Sequence, residues 1–165
     1  MEVYHGSYLE VPAPDINYGR FNLDFGRGFY VTALKGHAEK WAHRRALMVK
    51  KTPCVSVYEF DPDRLHVLSF DGYTEEWLDF VVQNRAGLLK SQSYDAVYGS
   101  IANDDVATIV NDYIRLLEMG RINDTAKQFY LGQLQYSEPN NQYCLITQKA
   151  VNALRFSRSY EPKER

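Results

Sequence analysis

Short apolar runs rich in β-branched and aromatic residues alternate with longer stripes at helical spacing, without the strand–helix–strand rhythm that a parallel sheet requires. That irregular alternation restricts the chain to an α+β fold. Runs of strand character fall at 2–5, 28–33, 53–60, 64–70, 94–99 and 142–147. After the second run, Leu34, Ala38, Trp41, Ala42, Met48 and Val49 fall near one face of a helix. Thr74 is placed to cap a second helix carrying Trp77, Phe80, Val81 and Leu88, with Glu75 and Glu76 in its positive first turn. Asn103 caps a third, whose Val106, Ile109, Val110, Tyr113 and Leu117 form the clearest apolar stripe of the sequence. Asn123 caps a fourth with Ala126, Phe129, Tyr130 and Leu134 inward, and Thr147 a short fifth with Ala150, Val151 and Leu154 inward. The turn Asp61-Pro62-Asp63 makes 53–60 and 64–70 a hairpin candidate, because proline presets the φ of the turn.

No repeat or linker divides the 165 residues, so a single domain is expected over 1–157, followed by a polar, frayed tail over 158–165. A chain of this size buries roughly 70% of its unfolded surface, enough for a core without a metal or disulfide staple. With 19 Lys+Arg against 21 Asp+Glu the net charge is -2, so the global positive field behind non-specific nucleic-acid or anionic-membrane binding is lacking. The cluster Lys40, Arg44, Arg45, Lys50 and Lys51 reads first as a solvated helix face. Cys54 and Cys144 each sit inside a short apolar run, and no His pairs with a Cys at ligand spacing; neither disulfide nor metal is expected. No run approaches the roughly 20 apolar residues of a membrane helix, and the start MEVYHGSYLE has no secretory pattern. The expected compartment is the cytoplasm.

Phosphate-loop, dinucleotide-fingerprint, zinc-protease, nucleophile-elbow and CxxC motifs are all absent. What stands out is a set of three segments. They are Tyr4-His5-Gly6-Ser7 at the end of the first strand, Gly26-Arg27-Gly28-Phe29-Tyr30-Val31-Thr32 opening the second, and Asn141-Gln142 opening the last. This set resembles the ADP-ribosyltransferase superfamily, in the His-Tyr-Glu branch that includes diphtheria toxin and the poly-ADP-ribose polymerases. Within it, the chain is similar to an uncharacterised bacterial domain family with a YHGS start, a DFGxGFYxT segment and a G-x-I-A-[ND]-D segment. These are met here as residues 4–7, 24–32 and 99–104. The resemblance spans roughly 2–157 and implies a split two-sheet α+β core with flanking helices and an NAD crevice between the sheets.

The chemistry implied by the resemblance is transfer of ADP-ribose from NAD, whose cationic nicotinamide leaves the ribose through an oxocarbenium-like state. An aromatic face holds a cationic ring by about 0.5–2 kcal/mol, and the resemblance gives that role to Tyr30, with Trp41 as the second wall. His5 would supply a fixed donor and acceptor for ribose hydroxyls, each bond worth about 1 kcal/mol. Gly6 would admit close ligand approach because it has no Cβ, and Ser7 would add a hydroxyl. The loop 13–27 resembles a donor loop over NAD, with Gly28 at its end and Arg20 and Arg27 as pyrophosphate contacts.

At the third segment the chain departs from the pattern, carrying Gln142 where active members carry a Glu. An amide accepts a hydrogen bond but takes no proton, and general-base help is worth about 10²–10⁴-fold. Asp104, Asp105 and Glu138 are the alternative carboxylates, and the first two also suit the positive start of their helix. The expected activity is single ADP-ribose addition to a protein or nucleic acid. The alternative is a degraded module that binds NAD or a partner without transfer. By resemblance, such compact domains act as toxins restrained by a small antitoxin protein.

Overall fold

The computed structural model describes residues 1–89, 92–134 and 140–163. Among the described residues, seven strands form two sheets. The first is three-stranded and antiparallel, with β3 (Cys54–Phe60) between β1 (Glu2–Ser7) and β7 (Leu154–Tyr160). The second is four-stranded, in the order β2 (Phe29–Val31), β6 (Asn141–Leu145), β5 (Ala96–Ser100) and β4 (Val67–Ser69). Between the sheets, one antiparallel bridge joins Tyr4 to Thr32, with both main-chain bonds made at 2.8 and 3.0 Å. The α+β class holds.

Among the described residues, five α-helices flank the sheets: α1 (Lys35–Val49), α2 (Glu75–Arg85), α3 (Asp104–Glu118), α4 (Asp124–Gln133) and the short α5 (Gln148–Val151). Thr74, Asn103, Asn123 and Thr147 cap α2 to α5 in turn, each side chain accepting from the amide three residues on. One cluster, with Trp77, Leu78, Val81 and Val110 at its centre, is shared by α2, α3 and the outer face of the second sheet. A second lies between the sheets, where Val3, Tyr58 and Phe60 meet Phe29, Val31 and Leu145. Among the described residues, these side chains pack the middle of the space between the sheets.

Three sequence expectations are corrected. Strands β3 and β4 are no hairpin: they belong to different sheets, and β4 pairs in parallel with β5, although the turn holds through Leu65 N–H to the Pro62 carbonyl at 2.9 Å. Residues 158–160 are not a frayed tail, because they complete β7 with Val57, Ser56 and Val55 of β3 opposite. The segment looks polar because it is an edge: Arg155 pairs with Glu59, and Arg158 with Glu2 at 3.0 Å. Helix α1 turns inward the alanines at 38, 42 and 46, leaving Trp41, Met48 and Val49 outside. On α2 and α4, Leu88 and Phe129 likewise stay exposed.

Candidate active site at the seam of the two sheets

His5 and Tyr30 meet where β1 and β2 come together. The His5 Nδ1 lies 2.7 Å from the Tyr30 carbonyl oxygen. A carbonyl only accepts, so Nδ1 carries the proton and Nε2 is left as an acceptor, a tautomer assigned by the bond itself. The ring stacks on Phe29 with centroids 4.3 Å apart. Burial lowers its pKa from the ordinary 6.5, partly offset by the bond to Tyr30, so the neutral form is held. The function of Phe29 as a platform for the imidazole had no signal in the sequence beyond strand character.

The two side chains nevertheless diverge. Opposed residues of an antiparallel pair share a face, so Tyr4, Thr32 and, two residues back, Tyr30 lie on one side, and His5 on the other. The Tyr30 ring packs against the α2–α3 cluster. Its hydroxyl donates to the Gly26 carbonyl at 2.7 Å and accepts from Phe25 N–H at 3.2 Å. Desolvation raises the phenol pKa well above 10.0, so this anchor stays protonated. Beneath it, Cys144 is buried and its thiol is pushed up to about 12, which leaves it unreactive. The imidazole and the phenol therefore meet through the Tyr30 main chain rather than ring to ring.

Gln142 is brought to the Tyr30 side. Tyr30 faces Cys144 in the β2–β6 register, and Gln142 is two residues along from Cys144 on the same face, half-buried and opposite Gly99. Its neighbour Asn141 is a hub: its carbonyl accepts from Thr32 Oγ1 at 2.7 Å, its Nδ2 donates to Tyr98 Oη at 2.8 Å, and Ser100 Oγ donates to its Oδ1 at 3.2 Å. Asn141 stands in the third segment of the sequence, but an Asn before a strand reads as a turn residue and nothing there points to this role.

The other sequence candidates take more structural places. At Gly6 the close approach comes from helix α1, since an added Cβ would sit 2.1 Å from the Ala38 carbonyl oxygen. Gly28 is held by β6, where a Cβ would sit 2.5 Å from the Leu145 carbonyl oxygen. Ser7 ends β1 opposite Cys54, half-buried. Arg27 ties its own loop, donating to the carbonyls of Gly19 at 3.1 Å and of Asn17, with its guanidinium 4.7 Å over the Phe21 ring. Arg20 is exposed on that loop. Trp41 is 42% exposed on α1, with the Arg44 guanidinium 6.0 Å over its ring. Asp104 and Asp105 open α3, and Glu138 lies outside the described residues.

The acidic group that structure adds is Asp24. It is buried, pairs with Arg85 at 2.6 Å, and accepts from Ala102 N–H at 3.1 Å. Its position within Asp24-Phe25-Gly26 was visible, but nothing in the sequence pointed to Arg85. A surface depression of about 380 Å³, lined by His43, Pro53, Glu161, Pro162 and Lys163, shares no residue with the seam. No helix among the described residues is long and apolar enough to cross a membrane.

No curated protein and no solved structure matches the chain. One family model does, that of Protein of unknown function (DUF3990), over residues 1–156. That span runs from the start of β1 into β7 and takes in His5, Tyr30, Asp24 and Gln142 alike, and on it the chain belongs to the DUF3990 family.

Proposed function

We propose that the chain binds NAD at the seam between its sheets and transfers single ADP-ribose units to a macromolecular acceptor. The observation that carries the reading is the His5–Tyr30 bond, which fixes a neutral imidazole with a free acceptor nitrogen where two sheets meet. Nε2 suits a ribose hydroxyl, worth about 1 kcal/mol as a bond and more as an orienting contact. Because the Tyr30 ring lies across the strand pair from the imidazole, the dinucleotide must span the seam, with the half-buried Tyr30 ring and the exposed Trp41 ring as the aromatic surfaces for the cationic nicotinamide. In the reaction, the C–N bond between nicotinamide and ribose breaks and nicotinamide leaves with the electron pair. An acceptor oxygen, nitrogen or sulfur then bonds to the anomeric carbon and releases its proton. Gln142, on the Tyr30 face, accepts a ribose hydroxyl bond but no proton, which limits the chemistry to one addition.

The test is calorimetry with NAD, followed by nicotinamide release and mass added to lysate proteins or nucleic acid. Wild type binds and releases; His5→Ala loses about fivefold in affinity. Gln142→Glu raises release by about 10²-fold or more if the strand-opening residue acts on the ribose. Absence of heat with NAD rejects the reading. A second reading, NAD binding without transfer, is favoured by Gln142 itself and predicts thermal stabilisation by NAD with no release in either wild type or Gln142→Glu. A small restraining antitoxin belongs to the first reading by analogy alone.

A further inference from the structure

Helix α1 is apolar on two sides. Its inward stripe of Ala38, Ala42 and Ala46 is buried, while at its C-terminal end Leu47 is 81%, Met48 68% and Val49 40% exposed. Small inward residues let the helix backbone lie on β1 at Gly6, so the large side chains go outside. Large aliphatic groups gathered in the open on one helix end mark a contact surface. The same end carries Arg44, Arg45, Lys50 and Lys51, and from Lys40 to Lys51 there is no Asp or Glu, although the chain has a net charge of -2. Cations and apolar groups are interleaved: the Arg45 guanidinium lies 3.9 Å from the Met48 sulfur, and the Lys51 ammonium 5.1 Å over the Tyr8 ring.

Interleaving selects among occupants. A membrane takes up a continuous apolar face, and here only Leu47, Met48 and part of Val49 are in the open on a chain whose net charge of -2 is repelled by anionic lipid. A nucleic acid satisfies the cations but leaves Leu47, Met48 and Val49 against sugar and phosphate. A second copy of this chain in two-fold contact sets four cations against the same four. We infer that the C-terminal end of α1 docks an acidic amphipathic helix of a partner protein. The partner's aliphatic residues, at i, i+3 or i+4, and i+7, cover Leu47 and Met48, and its carboxylates meet the flanking cations. Arg44 also lies 6.0 Å over the Trp41 ring, so this surface borders the aromatic group proposed for nicotinamide, while Leu47 and Met48 take no part in it.

The experiment is selection of a displayed library of helix-forming peptides, randomised at all outward positions, on the full chain. Enriched sequences are expected to carry Asp or Glu flanking aliphatic residues at helical spacing. A synthesised winner is expected to lose about tenfold or more in affinity for Leu47→Glu/Met48→Glu and to weaken with added salt. Both positions are exposed, so circular dichroism and melting should match wild type and separate lost docking from lost fold. Failure to enrich any peptide overturns the inference. So does enrichment of sequences without that pattern, equal binding to the double variant, or tighter binding of anionic vesicles or a single-stranded RNA oligonucleotide.

Discussion

Gly6 is where a single missing carbon sets the relation of a strand to its helix. A Cβ there would lie 2.1 Å from the Ala38 oxygen and 2.9 Å from the Ala42 nitrogen, both main-chain atoms of α1 that do not swing aside. Gly6→Ala is therefore expected to lower stability by about 3 kcal/mol, the upper end for overpacking, read as a fall in urea midpoint. An unchanged midpoint would mean that α1 is free to shift. At this scale the sequence was partly legible. The strand-end His5 and the Tyr30 of the second strand are joined, but through a carbonyl that no side-chain pattern encodes and with their side chains on opposite sides. Gly6 illustrates the opposite case: its lack of a side chain was visible, yet whether a ligand or a helix fills the space depends on an element thirty residues away.

At the scale of elements, the motif segments at 24–32 and 99–104 are fastened to each other. Asp24 bridges Arg85 of α2 and the amide of Ala102 just before α3, while Phe25 enters the core and the Gly26 carbonyl receives the Tyr30 hydroxyl. Gly26 has φ +86, a left-handed conformation that costs an L residue strain, so the turn depends on glycine. Asp24→Asn leaves the Arg85 guanidinium half-buried without its counter-charge. The expected loss is about 3 kcal/mol, checked by denaturant unfolding, with partial recovery in Asp24→Asn/Arg85→Met. A loss equal in the single and double variants would place the effect elsewhere. Helix starts were readable because a cap is a local arrangement: Thr74, Asn103, Asn123 and Thr147 need only the next three residues. Partnership of strands was not. β4 and β7 take neighbours far along the chain, and β7 is an edge whose outward charges hide its pattern. Helix α1 misled for a related reason, since close packing on a glycine strand selects alanine over larger apolar side chains.

For the whole molecule, acid is expected to erode stability in two steps. The folded state holds His5 neutral with its pKa below 6.5, so that part of the stability is complete above pH 6.5 and declines as pH falls. Asp95 ties β5 to the segment around α5. Lys149, the amide of His66 and the hydroxyl of Thr147 hold its carboxyl down to about 2 from 3.8. Its contribution is present above pH 3.8 and is lost as pH falls through about 2. Melting temperature against pH should show both declines, and Lys149→Met should shrink the lower one alone. A single decline, or one unaffected by Lys149→Met, would contradict this assignment.

Among the described residues, Tyr4 and Thr32 supply the only strand pairing between the sheets, through just two main-chain bonds. A joint so narrow resists being pulled straight apart through the side chains wedged inside it, but it offers little against torsion. Anything that clasped the imidazole on one half and the strand-opening amide on the other would act as a rivet, and the molecule would become measurably stiffer in twist before it became noticeably more stable.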